Sequence, residues 1–182
     1  VYGHGIAVDA DTLREIPQDF PPLPSGDVFC DWLVGVSAGG NYGVTPSFMI
    51  RHEAFEACGG FDESMWVAED FDLWLRLAHD YHFAALDSPL VYYLRRSGGL
   101  HTQRVKMAQG RLRVYQKAGA LPRRPACMDD NTYARELARR SLTLGLRLWE
   151  AGQRAEARAM FRQSVTYHRE RARISPLYTL MS

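Results

Sequence analysis

The sequence predicts a mixed α/β chain that gives way to helices in its last third. Residues 1–8, VYGHGIAV, alternate as a strand does, and HFAALDSPLVYYLRR at 82–96 supplies one or two extended segments rich in aromatic and branched residues, interrupted at Ser88 and Pro89. Between them, Phe71, Trp74, Leu75, Ala78 and Tyr81 fall on one stripe at helical spacing. From Thr102 onward the text is helical, in stretches at 102–118, about 131–150 and 153–173.

The connecting segments follow from their punctuation. Asp9 to Ser25 carries Pro17, Pro21, Pro22 and Pro24, so it continues neither a ladder nor a helix. A short helix capped by Ser25 or Asp27 is expected through DVFCDWLVGV, ended by the glycine-rich GGNYG at 39–43. TPSFMIR at 45–51 reads as a buried strand, and HEAFEACGG as one or two helical turns closed by a left-handed Gly59. FDESMWVAED is a loop into the next helix, on whose flank Asp72 and Arg76 have the i, i+4 spacing of an ion pair. A loop with Pro122 and Pro125 separates the later helices.

With 182 residues the chain can bury roughly 70% of its unfolded surface, so it needs no staples to hold a core. A composition of 46% hydrophobic and 24% charged residues excludes wholesale disorder. Cys30, Cys58 and Cys127 are odd in number and unpatterned, which predicts neither a disulfide framework nor a zinc knuckle and points to a reducing compartment. No apolar run approaches a membrane span, and no charged n-region followed by an apolar h-region occurs in these residues. The opening in mid-strand without Met leads us to expect a piece of a longer protein. The net charge of +1 conceals an asymmetry: 5 basic residues face 15 acidic ones through Gln103, and 17 basic face 6 acidic from Arg104 onward. Such a basic tail suits an anionic partner, or is the solvated face of arginine-rich helices.

Chemistry is concentrated in one stretch. Glu69, Asp70 and Asp72 sit at the start of the predicted helix, where its dipole favours carboxylates by about 0.3–1 kcal/mol each. That effect accounts for one or two of them and leaves unexplained the glycine pair Gly59-Gly60, then Phe61 and Asp62, and Trp66 in the connecting loop. An aromatic loop leading into a fixed carboxylate makes a substrate rim. Elsewhere the six histidines are scattered, with His79 and His82 lacking a carboxylate at metal spacing, and no phosphate loop or nucleophile signature occurs.

The stretch EACGGFDESMWVAEDFDLWLRLA resembles the acceptor-side signature of the family 2 glycosyltransferases, and the resemblance extends from Val1 to about Ala118. It implies the C-terminal part of a GT-A, Rossmann-like nucleotide-diphospho-sugar transferase fold, here followed by an α-helical tail. It implies an inverting transfer of sugar from a nucleotide-sugar to an acceptor hydroxyl, as in polysaccharide biosynthesis, with Asp70 as general base. Glu69, Trp66, Asp62 and Gly60 would then shape the acceptor site. The resemblance further implies a divalent cation, Mg or Mn, whose D-x-D motif lies in the donor-binding half and not in this chain; Asp9-Ala10-Asp11 has the letters after the wrong element. Where the family has Tyr-Arg-x-His, this chain has Tyr93, Leu94, Arg95 and Arg96, with His101 nearby.

The expected organisation is an acceptor-side half at 1–118 and a basic helical hairpin at 119–182. In the latter, Leu144, Gly145, Gly152, Ala157 and Phe161 have tetratricopeptide-repeat spacing, although Ser141, Ser164 and Arg169 occupy its other signature positions. A single such unit leaves a face unburied and should dock on something. The expected partners are a nucleotide-sugar, a saccharide or lipid-linked acceptor and an anionic membrane surface; the expected location is cytoplasmic, peripheral at the inner face of the membrane. The alternative is a noncatalytic binding module whose tail contacts a protein or anionic surface. Nucleic-acid binding ranks last, for want of an interleaved aromatic platform.

Overall fold

A computed structural model describes residues 1–18, 22–35, 44–99, 102–122 and 126–174. The elements run β1 (Tyr2–Asp9), α1 (Phe29–Gly35), α2 (His52–Ala57), α3 (Glu69–Asp80), β2 (Ala85–Arg95), α4 (Arg104–Gly119), α5 (Asp130–Glu150) and α6 (Arg154–Ile174). The chain forms two compact units, 1–62 with 70–102, and 63–69 with 103–182. No helix among the described residues is long and apolar enough to cross a membrane.

In the first unit β1 and β2 pair in parallel, with regular register from Gly5 opposite Val91 to Asp9 opposite Arg95. Parallel partners need a long crossover, and α1 to α3 lie within it. The register shifts around His4, whose partner is Pro89, so the predicted interruption is an irregularity within one strand. Five aromatic rings form the core. Tyr2 stacks on Phe48 at 5.1 Å, Phe48 on Trp74 at 4.0 Å, and Trp32 meets Tyr2 and Phe83 edge-on at 5.3 and 4.6 Å. The Tyr2 hydroxyl donates to the Pro24 carbonyl at 2.7 Å, which satisfies its polar end.

Two expectations are corrected here. TPSFMIR is not a strand: Thr45–Ser47 is a 3₁₀ turn with Pro46 in its first positions, and only Phe48 bridges β1, at Tyr2. Pro46 lacks the N–H that a ladder requires. Helix α3 buries more than the predicted stripe, because Asp72, Leu73 and Leu77 are buried together with Trp74, Leu75 and Ala78, while Tyr81 is exposed. The GGNYG segment lies outside the described residues.

In the second unit, α4, α5 and α6 pack with the segment 63–69. Gly110 admits the backbone of Val67, since a Cβ there would stand 2.6 Å from the Val67 carbonyl oxygen. Arg140 of α5, buried, lies over the Tyr115 ring and donates to its hydroxyl at 2.8 Å. Asp129 caps α5 by accepting from the Thr132 N–H at 2.6 Å. After α5, Gly152 at φ +79° closes the helix, with Gly152 N–H donating to Trp149 O at 3.0 Å and Gln153 N–H to Leu148 O at 2.9 Å. Helices α5 and α6 then pack as the expected hairpin, with Gly145 against the Phe161 ring.

Cys58 is a free thiol.

Gly145→Ala would put a methyl group 2.5 Å from the Phe161 ring, and we expect a loss of about 1–3 kcal/mol in urea unfolding. Adding Phe161→Leu should recover part of it; additive losses would show that the ring does not set the approach. The Asp129 carboxyl is held below its ordinary range by the backbone N–H and then the hydroxyl of Thr132. A depressed carboxyl stabilises above its unfolded pKa of about 4 and loses that contribution as pH falls through the folded value. Asp129→Asn should therefore flatten the acid limb of the stability curve below about pH 4.

Candidate active site

The site begins with a glycine turn. Gly59 and Gly60 have φ of +81° and +65°, and their N–H groups return to Glu56 O at 2.9 Å and Phe55 O at 3.0 Å, closing α2 as predicted. A side chain at Gly59 would meet nothing, so conformation alone demands glycine there. At Gly60 a Cβ would also crowd the Phe55 ring at 3.2 Å.

Arg76 of α3 locks this turn. Its Nη1 donates to Cys58 O at 2.6 Å, its Nη2 to Gly60 O at 2.7 Å, and its Nε to Asp72 Oδ2 at 2.9 Å. Asp72 is 2% exposed, so its charge is compensated by this guanidinium. The predicted i, i+4 pair is thus the inner half of a clamp whose outer half holds two carbonyls at the end of α2.

Asp70, in the first turn of α3, is half-buried. The Thr45 hydroxyl donates to its Oδ2 at 2.8 Å, and the Phe71 N–H donates to its Oδ1 at 2.7 Å. Both oxygens are thereby oriented, and a carboxylate with about four lone-pair sites still has room for another donor. Thr45 was not legible as a site residue, because nothing in TPSFMIR signals a partner 25 residues away. Glu69 heads the same helix, half-buried, and follows Ala68, a non-glycine residue at φ +59°. A left-handed alanine costs about 1 kcal/mol or more, and such strain clusters at functional sites.

Trp66 and Glu69 count with the second unit; Gly60, Asp62 and Asp70 belong to the first. Trp66 is 87% exposed, and the segment around it explains why. Met65 and Val67 on either side are buried, and Arg113 of α4 donates to Ser64 Oγ at 2.6 Å and Ser64 O at 3.2 Å. Anchoring both neighbours inward turns the indole outward. Asp62 is half-buried.

The Asp9-Ala10-Asp11 letters have a structural use. Asp9 Oδ1 accepts from the Thr12 hydroxyl at 2.7 Å, the Thr12 N–H at 2.8 Å and the Asp11 N–H at 3.2 Å, building the turn after β1. Among the described residues no group of three or more His, Cys, Asp or Glu side chains could hold a metal ion. The described residues therefore do not fit the expected Mg or Mn. His79 lies against Phe29 at 6.3 Å and Asp80 at 2.7 Å.

A family model described as glycosyltransferase like family 2 matches residues 38–172, most of the chain, and the chain belongs to that family. No curated protein and no solved structure gives a significant match. Family membership makes this a glycosyltransferase domain, which moves a glycosyl group from a sugar donor to an acceptor. The match runs on through α4 and α5 and nearly all of α6.

Arg76→Lys keeps the charge but loses the fork that reaches Asp72 and two carbonyls together. It should cost about 2 kcal/mol in denaturant unfolding. A loss no larger than that of an exposed arginine would show that the clamp contributes little.

Proposed function

We propose that the chain is the acceptor-side part of an inverting glycosyltransferase, with Asp70 as the general base. The observation that carries this is the orientation of Asp70 by Thr45 and the Phe71 N–H at the head of a buried helix. In the reaction the acceptor hydroxyl donates to Asp70 while its oxygen attacks the anomeric carbon opposite the leaving nucleoside diphosphate. The C–O bond to the acceptor forms, the bond to the diphosphate breaks, and the hydroxyl proton ends on the Asp70 carboxylate. On the family resemblance we assign acceptor binding to Gly60, Asp62, Trp66 and Glu69, the outward Trp66 offering a flat face for a sugar ring. Residues 1–118 carry this function and 119–182 form a tetratricopeptide-like hairpin. The nucleotide-sugar and its cation belong to a donor-binding half outside this chain, and the enzyme works on the cytoplasmic side.

The test is kinetic, in the full-length enzyme. Asp70→Asn keeps shape but cannot accept the proton, so kcat should fall about 10²- to 10⁴-fold with donor binding unchanged. Turnover within a few fold of wild type would remove Asp70 as base and favour a noncatalytic module. Trp66→Ala should raise the acceptor KM more than the donor KM, since rim stacking contributes binding; equal effects would take Trp66 out of the acceptor site. Calorimetry on residues 1–182 alone should detect no metal-dependent nucleotide-sugar binding.

A further inference from the structure

The helical hairpin leaves one face uncovered. Leu142, Leu146 and Trp149 of α5, at i, i+4 and i+7, and Val165 of α6 are each between 44 and 50% exposed. At the α5–α6 seam Phe161, packed on Gly145, has its ring 6.5 Å from Trp149, and Arg154 lies over the Trp149 ring at 3.7 Å. The α5 part of the strip is about 10 Å long. Exposed arginines follow it along α6, with Arg154, Arg158 and Arg162 at successive i, i+4 positions and Arg169 beyond. Glu150 pairs with Arg147 at 2.9 Å, and Glu136 is buried beside Arg140.

We infer that this face is a shallow docking surface for an anionic lipid bilayer. Half-exposed side chains make a flat strip that can enter only the headgroup and upper acyl region, which is the depth that interfacial helices occupy. Leucine, tryptophan and long-stemmed arginine are the side chains that suit such a boundary, apolar bodies inward and charged ends at the phosphates. The arginine row matches anionic headgroups, and it argues against a second copy of this chain, because a self-complementary interface would set like charges against each other. The inference concerns the hairpin alone and does not depend on Asp70. It also alters the expected character of binding: an apolar strip makes part of the attachment resistant to salt, whereas arginines alone would be screened.

The experiment is cosedimentation of the 182-residue chain with phosphatidylserine-rich and with pure phosphatidylcholine vesicles, at low and physiological salt. We expect binding to the phosphatidylserine vesicles, weakened but retained at physiological salt, and a blue shift in tryptophan emission. Arg158→Glu with Arg162→Glu should lower binding by about tenfold or more. Leu142→Ser with Leu146→Ser should abolish the salt-resistant part and spare low-salt binding. All four positions are exposed, and circular dichroism verifies that each variant is folded. Three outcomes would overturn the inference: equal binding to both vesicle types, binding unaffected by either pair, or no vesicle binding with a leucine-dependent dimer in sedimentation velocity.

Discussion

The Arg76 guanidinium is the constraint on which the candidate site depends. It reaches Asp72 on its own helix and the carbonyls of Cys58 and Gly60 at the end of α2. A buried carboxylate without that partner would be strongly unfavourable, and the two carbonyls beyond the end of α2 would lose their donors. One side chain therefore sets where α3 stands relative to the glycine turn, and Asp70 lies in the first turn of that helix. The two glycines answer the same constraint, because their left-handed backbone aims the Cys58 and Gly60 carbonyls at a single planar fork.

The aromatic core performs the second positioning step. Phe48 is stacked between Tyr2 and Trp74, so the short turn just before it cannot drift. Thr45 opens that turn, and its hydroxyl reaches Asp70. Trp74 and Asp70 are one helical turn apart on α3, so the contact that packs the core and the hydrogen bond that orients the carboxylate join the same two segments. Core packing and site geometry are in this way one arrangement.

In the helical unit, close approach is obtained by deleting side chains. Gly110 admits Val67 and Gly145 admits Phe161, in each case where any Cβ would collide. Leu142, Leu146 and Trp149 lie off the α5–α6 seam and stay about half-exposed. Arginine is used in two ways there, buried against Tyr115 and Glu136 as Arg140, and exposed along α6.

The sequence by itself determined the helices, the two strands, the left-handed Gly59, the Asp72–Arg76 pair and the buried Trp74. Each of these is encoded by periodicity, by a backbone requirement or by a spacing of four along a helix, and such local signals survive without the fold. The resemblance carried by EACGGFDESMWVAEDFDLWLRLA likewise pointed to the family that matches residues 38–172. Tertiary structure alone decided what depends on meetings between distant segments. TPSFMIR has strand-like composition, yet Pro46 and the docking of Phe48 make it a turn. Thr45 meets Asp70, and Arg76 reaches past Asp72 to the end of α2, neither of which any spacing announces. The wider burial of α3 and the half-exposed strip on α5 were also beyond a stripe count, because a periodic pattern tells which residues share a face but not how many faces find a partner.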